Sequence, residues 1–192
     1  MRIIAGEFGG RSLSTGRDHS IRPTTDRAKQ TIFDVLTNRF LFEGIRVLDL
    51  FAGSGSLGLE ALSRGASEVV FVEQAKTSLL VLNKNIAALR CEARTVVHQA
   101  EVFWFLKQTR RPFDLVFVDP PYNLENIGTL PSALFHSAAT REGTYIVMEH
   151  SRESVIDLPE TMYDVIRKQF GQTIALILCT KPKESPLPSA TE

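Results

Sequence analysis

Cysteine is scarce in this chain of 192 residues: Cys91 and Cys179 stand alone and far apart. Two such thiols exclude a disulfide framework, and neither has the His or Cys neighbours of a metal-ligand spacing. They are expected to be buried thiols of a reducing cytosol, and no metal is expected. Net charge is lacking as well, since 22 Lys and Arg balance 22 Asp and Glu. The field of the whole chain therefore points to no polyanionic partner. No stretch approaches the ~20 apolar residues of a membrane span. The opening Met1-Arg2-Ile3-Ile4-Ala5-Gly6-Glu7 has no long apolar run, so no secretory signal is expected and the chain reads as cytoplasmic. His19, His98, His136 and His150 form no cluster, and no internal repeat is visible.

What is present suits one domain with a small appendage. Hydrophobic residues make up 43% and charged residues 23% of the chain, enough apolar material for a core. Charge is unevenly placed. Before Phe40 stand Arg2, Arg11, Arg17, Arg22, Arg27, Lys29 and Arg39, against Glu7, Asp18, Asp26 and Asp34. An anionic partner is expected on that side, and Arg2, Arg11, Arg22 and Arg27 are candidates to hold phosphates.

Arg2–Ala5 and Arg11–Ser14, separated by Gly6, Gly9 and Gly10, predict a β-hairpin. Pro23-Thr24-Thr25-Asp26 reads as a helix start, and Ala28, Ile32, Val35 and Leu36 give an amphipathic stripe ending near Phe40. From Gly44 the pattern changes to short apolar strands alternating with helices. Strands are predicted over 46–51, 68–73, 94–98, 113–119 and 145–149. Helices are predicted over 57–64, 76–89 and from the third strand to about Gln108. Continuous apolar strands in such alternation imply a parallel sheet covered on both faces. Tyr163–Gln169 and Thr173–Cys179 predict an antiparallel hairpin at the sheet edge, followed by a frayed tail. The expected organisation is an N-terminal extension over 1–42, an α/β domain over 43–181 and a tail over 182–192.

Between the first strand and its helix lies Asp49-Leu50-Phe51-Ala52-Gly53-Ser54-Gly55-Ser56-Leu57-Gly58. Gly53, Gly55 and Gly58 match a dinucleotide fingerprint, with Glu73 at the end of the next strand. Asp49 argues against a pyrophosphate. Like charges at ~4 Å cost a few kcal/mol at an effective dielectric of ~20. A cationic ligand with a ribose for Glu73, such as S-adenosylmethionine, fits this loop better. The alternative is a structural tight turn with Asp49 capping local amides.

Asp119-Pro120-Pro121-Tyr122 ends the fourth strand, on the rim that carries Asp49 and Glu73. Each proline fixes its own φ and biases its predecessor toward extended angles. The Asp119 carboxylate and the Pro120 carbonyl are thereby aimed at little entropic cost. Two acceptors beside an aromatic ring suit the exocyclic amino group of a base. Hydrogen bonds to its two protons favour a tetrahedral nitrogen whose lone pair can take a methyl group. Tyr122 can stack on the base, worth ~1–3 kcal/mol, once the base has left its stack. A strand-ending Pro-Pro turn is the structural alternative. Phe103 and Trp104 read as core or pocket wall rather than as a base platform. Glu149, ending the fifth strand, reads equally well as structural or substrate-facing.

On these residues the chain resembles the class I methyltransferases. More closely, it resembles the bacterial small-subunit ribosomal RNA guanine-N2 methyltransferases. The resemblance runs through Met1–Gly6, Gly10-Arg11, Arg22-Pro23-Thr24-Thr25-Asp26-Arg27, Val47–Glu60, Ala61–Ala66, Phe113–Tyr122 and Glu149. It implies a Rossmann-like, doubly wound, mostly parallel seven-stranded sheet with an antiparallel C-terminal hairpin. It implies methylation of the N2 amino group of a guanine in 16S ribosomal RNA, within the small subunit or its assembly intermediate, by a monomer. The catalytic residues would be Asp119, Pro120 and Tyr122. The S-adenosylmethionine contacts would be Asp49, Phe51, Ala52, Gly53, Ser54, Gly55, Glu73, Ala100, Glu101 and Asp119. The RNA contacts would be Arg2, Arg11, Arg22, Thr25, Arg27, Pro121 and Tyr122. One position departs from the family. Ala100 stands where the family usually has an Asp against the adenine amino group, so Glu101 or a backbone carbonyl must serve. The Asp-Pro-Pro-Tyr run is shared with adenine-N6 DNA methyltransferases, which stay open as an alternative. A non-catalytic RNA-binding assembly factor stays open as well.

Overall fold

Strand residues alternate between two apolar faces, and both faces are covered. The computed structural model describes residues 1–15, 26–121 and 124–183. Its strands, numbered in chain order, are β1 (Arg46–Leu50), β2 (Glu68–Glu73), β3 (Thr95–Gln99), β4 (Leu115–Val118), β5 (Tyr145–Ser151), β6 (Tyr163–Phe170) and β7 (Thr173–Thr180). Its helices are α1 (Asp26–Thr37), α2 (Ser56–Ser63), α3 (Lys76–Leu89), α4 (Val102–Gln108) and α5 (Leu130–His136). The seven strands form one sheet in the order β3-β2-β1-β4-β5-β7-β6. The first five are parallel, and β7 is inserted antiparallel between β5 and β6.

Val47, Val69, Phe71, Leu115, Phe117, Ala175 and Ile177 point to one face, where they meet Ile32, Phe33 and Leu36 of α1, Leu59 and Leu62 of α2, and Leu82 and Ile86 of α3. Leu48, Leu50, Val70, Val72, Val116, Val118, Leu176 and Leu178 point to the other, where Val102, Phe105 and Leu106 of α4 and Leu130 and Leu134 of α5 close over them. The period of two along each strand produces this division. Burial on both sides is why β1, β2 and β4 carry near-continuous apolar runs, whereas the edge strands β3 and β6 are partly exposed.

Three features differ from the sequence expectation. The predicted N-terminal hairpin reduces to a single antiparallel bridge, Arg2 with Ser12. Its backbone donors are spent elsewhere: the N–H groups of Ile4 and Ala5 donate to the Glu60 carboxylate at 2.7 and 3.1 Å. Those of Glu7 and Phe8 donate to the carbonyl and hydroxyl of Ser63. Gly6 makes this docking possible, because a Cβ there would collide with the Ser63 carbonyl. Helix α1 ends at Thr37, three residues before Phe40. Helix α5 carries Pro131 in its first turn and is only seven residues long, too short for its periodicity to stand out in the sequence. Residues 16–25 and 184–192, with the predicted helix start at Pro23 and most of the tail, lie outside the described residues. Among the described residues no helix is long and apolar enough to cross a membrane.

Glu60, in α2, is fully buried and gathers four donors. Besides the two amides it accepts from Arg64 Nε at 2.9 Å, and Lys29 Nζ lies 3.3 Å away. Lys29 is itself fully buried and donates to the Arg2 carbonyl at 2.6 Å and to Ser56 Oγ at 3.3 Å. Burial pulls the Lys29 pKa down, and the Glu60 charge works against that shift. Removing one member of such a pair strands the other charge without solvent. Glu60→Ala is therefore expected to lower unfolding free energy by about 3–5 kcal/mol. Urea denaturation checks this, with a lower midpoint and an unchanged slope.

Candidate active site

Register places the ends of the central strands on one line. Leu50 pairs with Val72 and with Val118, and Val118 pairs with Met148. One residue further on, Phe51, Glu73, Asp119 and Glu149 thus share a level along the carboxyl rim. Such a rim, where crossovers leave toward opposite faces, is where open α/β sheets bind ligands. The order reverses beside β1, between β1 and β4.

The glycine loop follows β1. Phe51 has φ 58, a left-handed value that is strained for a bulky side chain. Its side chain packs against the face covered by α4 and α5. Gly53, with φ 54, has only the Phe51 carbonyl within 4 Å of where a Cβ would lie, so its open side can receive a ligand. Gly58 serves packing instead, since a Cβ there would meet Phe71 at 2.5 Å and Val69 at 2.8 Å. The motif glycines thus divide between ligand access and helix-on-sheet contact.

Two carboxylates hold the loop. Glu73 accepts from the Gly53 N–H at 2.9 Å and from the Ala75 N–H at 2.7 Å. Helix α2 starts at Gly55, which has no side chain to cap it. Asp49 fills that role from beneath, accepting from the Gly58 N–H at 2.9 Å. Asp49 is 2% exposed and presents no open surface. Burial pushes its pKa well up, the Gly58 bond opposes this, and the Asp119 and Glu73 charges add to it. The amide cap raised by the sequence as an alternative is present in the Asp49–Gly58 bond.

Asp119 follows β4 directly and is partly exposed, Pro120 is buried and Pro121 is exposed. Among the described residues no donor reaches the Asp119 carboxylate or the Pro120 carbonyl. The Pro121 carbonyl accepts from the Leu124 N–H at 3.0 Å. Tyr122 lies outside the described residues. Beyond β3, Ala100 N–H donates to the Glu73 carbonyl at 3.3 Å. Glu101 caps α4, accepting from the Phe103 and Trp104 N–H groups at 2.8 Å each. Its carboxylate is thus held by the helix start at the edge of the rim.

Asn85 and Lys29, which the sequence reading did not single out as site residues, tie the N-terminal segment to the loop. Buried Asn85 donates to the carbonyls of Ser54 and Ser14 at 2.9 and 3.0 Å and accepts from the Ser14 N–H at 2.8 Å. Lys29 joins the Arg2 carbonyl to Ser56, the first residue of α2. Only a contact between segments some 70 residues apart reveals Asn85, so no local signal marked it. The arginines divide. Arg2 pairs with Asp26 at 3.2 Å and Arg11 donates to the Ala88 carbonyl at 2.9 Å. Arg27 is exposed, while Arg22 and Thr25 lie outside the described residues. Of the two residues expected in core or pocket wall, Trp104 is 58% exposed and lines a groove, whereas Phe103 packs against the core.

Residues 1–179 match the family model described as conserved hypothetical protein 95. Ribosomal RNA small subunit methyltransferase D of Haemophilus influenzae is 37% identical over 163 residues, covering 83% of each chain. YlbH of Bacillus subtilis, provisionally named an rRNA methyltransferase, is 36% identical over 179 residues, covering 90% of this chain and 95% of that one. Among solved structures, yhhF of Escherichia coli, provisionally described as a methyltransferase, superposes with a TM-score of 0.82 at 31% identity, covering 95% of this chain and 99% of that one.

Burial lifts the Asp119 pKa to about 6 from an ordinary value of 3.8. The folded state therefore binds this proton more tightly than the unfolded chain. Stability from this group is greatest below the unfolded value and is lost as pH rises to about 6. Asp119→Asn is expected to raise the melting temperature by a few degrees at alkaline pH, with the gain fading as pH falls toward the unfolded value. Calorimetric scans across pH check this. A melting temperature unchanged at alkaline pH would remove the strain assigned to this carboxylate.

Proposed function

The chain belongs to the family of conserved hypothetical protein 95, and on that premise we propose that it moves the methyl group of S-adenosylmethionine onto the N2 amino group of a guanine in 16S ribosomal RNA. The observation that carries this reading is the pair of acceptors after β4 that no donor among the described residues engages. The Asp119 carboxylate and the Pro120 carbonyl stand on the same rim as the glycine loop, in a chain whose relatives are named rRNA methyltransferases. The enzyme is an rRNA methyltransferase; guanine as the base rests on the family likeness.

The residues present fit the cofactor. Asp49, Glu73 and Asp119 form a negative cluster, and the raised Asp49 and Asp119 pKa values mark how a nearby positive charge would be favoured there. Gly53 leaves backbone open to close approach, and Glu73 keeps lone pairs for ribose hydroxyls beyond its two amide bonds. Phe51, Ala52, Ser54 and Gly55 frame the loop, and Ala100 and Glu101 stand on the adenine side. When bound, the cofactor supplies an electrophilic methyl group on a sulfonium. Asp119 and Pro120 each accept a hydrogen bond from one N–H of the target amino group, turning its lone pair out of conjugation; the surplus proton leaves the nitrogen after transfer. Tyr122 stacks on the base, with Pro121 beside it. The stiff prolines make this mainly positioning catalysis. Residues 1–42, with Arg2, Arg11, Arg22, Thr25 and Arg27, serve as the RNA-contacting extension of a catalytic domain over 43–181.

Small subunits from a strain lacking the protein should accept tritiated methyl from the purified chain, with the label mapping to guanine N2. A label on adenine N6 would overturn the base assignment, and no label would overturn the reading. Asp119→Ala is expected to keep cofactor binding by calorimetry and lose turnover by about 100-fold or more; full activity would remove Asp119 from the mechanism. The acceptor role also requires an ionised carboxylate. With the Asp119 pKa at about 6, kcat/KM should fall below that pH, by about tenfold per unit. A flat profile to about pH 5 would contradict it.

A further inference from the structure

A second charged corner lies at the α4 end of the molecule. One groove of about 360 Å³ runs between α4 and the open edge of the sheet, lined among others by Val96, Trp104, Phe105, Arg110, Arg111 and Phe113. A second, of about 460 Å³, lies on the other side of the same helix end and is lined in part by Lys107, Arg110 and His136. The two share Thr109 and Arg110. Four cations, Arg46, Lys107, Arg110 and Arg111, line these grooves against one carboxylate, Glu68. Glu68 is committed to Arg46 at 2.9 Å. Among the described residues, the side chains of Lys107, Arg110 and Arg111 have no partner. In a chain of zero net charge, three such neighbours form a local positive field.

Trp104 stands within this field. It is the chain's one tryptophan and is 58% exposed. Its ring lines the same groove as Arg110 and Arg111. A flat ring beside unpaired cations is the combination that holds single-stranded nucleic acid: the ring stacks on a base and the cations take the flanking phosphates. Its place in the chain suits the same substrate. Trp104 donates its backbone N–H to Glu101, so it lies one helical turn from the rim. Lys107 follows one turn further along α4, and Arg110 and Arg111 lie just beyond its end at Gln108.

We propose that this corner is a second RNA-docking site, in which Trp104 stacks on an unpaired base of the substrate and Lys107, Arg110 and Arg111 hold the adjoining phosphates. The proposal rests on the reading of this chain as an enzyme acting on RNA. It differs from the N-terminal contacts, where Arg2 and Arg11 already have protein partners.

Because the chain has a single tryptophan, its emission reports this site directly. Titration of the full chain with a uridine-rich single-stranded RNA should quench that emission to saturation. Arg110→Ala with Arg111→Ala should reduce the slope of log affinity against log salt by about 1.4, two phosphates at ~0.7 each. With small subunits as substrate, Trp104→Ala should raise KM about tenfold while kcat and cofactor affinity stay unchanged, and Trp104→Phe should restore KM. Absence of quenching, an unchanged salt slope, or an unchanged KM in Trp104→Ala would each overturn the site. Quenching by intact subunits but not by their deproteinised RNA would assign the corner to a protein partner and overturn it too. If the wild-type chain transfers no methyl group while the titration behaves as expected, the catalytic reading fails and the RNA site stands.

Discussion

The Glu60 carboxylate is the point on which the arrangement of this molecule turns. It lies without solvent in α2 and accepts from two N-terminal amides and from Arg64, with Lys29 of α1 beside it. A buried carboxylate of this kind is stable only while its donors stay in place. The segment before α1 is therefore tied to α2, although it forms one bridge of sheet. Helix α2 in turn begins in the glycine loop, and Lys29 reaches Ser56 at that junction. Asn85 adds a second tie, from Ser14 to Ser54. An extension proposed to hold RNA and a loop proposed to hold the cofactor thus share one buried polar network.

The carboxyl rim follows a different rule. Parallel register sets the strand ends level, so their terminal acids collect in one place. Burial raises the pKa of Asp49 and of Asp119, and the Asp119 and Glu73 charges raise that of Asp49 further. A fold selected for stability alone would disperse such charges. Their concentration is understandable where a cationic ligand restores the balance, and the left-handed Phe51 beside them is strain of the same local kind. Stability given up at this rim is offset by two apolar layers that cover the sheet.

Much of this was legible in the chain. Apolar strand runs alternating with helices identified the parallel sheet, and the β-rich pair at the end identified its antiparallel edge. Gly53, Gly55, Glu73 and Asp119 were identifiable as rim residues because each lies at the end of a strand or in the loop that follows it. Other features were not. The N-terminal hairpin was overestimated because the local pattern does not show that Glu60 and Ser63 compete for its amides. Helix α5 is too short for a periodic signal. Trp104 read as core or pocket wall, and only the packing of α4 decided for the wall: Phe105 faces inward while Trp104 lines a groove.

By itself the sequence determined the alternation of elements, the turn chemistry of the glycine loop and the stiff Asp-Pro-Pro step, since each depends on residues close along the chain. The tertiary structure decided what those groups face. It turned Asp49 into a cap for Gly58, joined residue 85 to residues 14 and 54, and left Lys107, Arg110 and Arg111 without an acid among the described residues. These outcomes depend on which distant segments meet when the two layers close on the sheet, and local propensity carries no information about that.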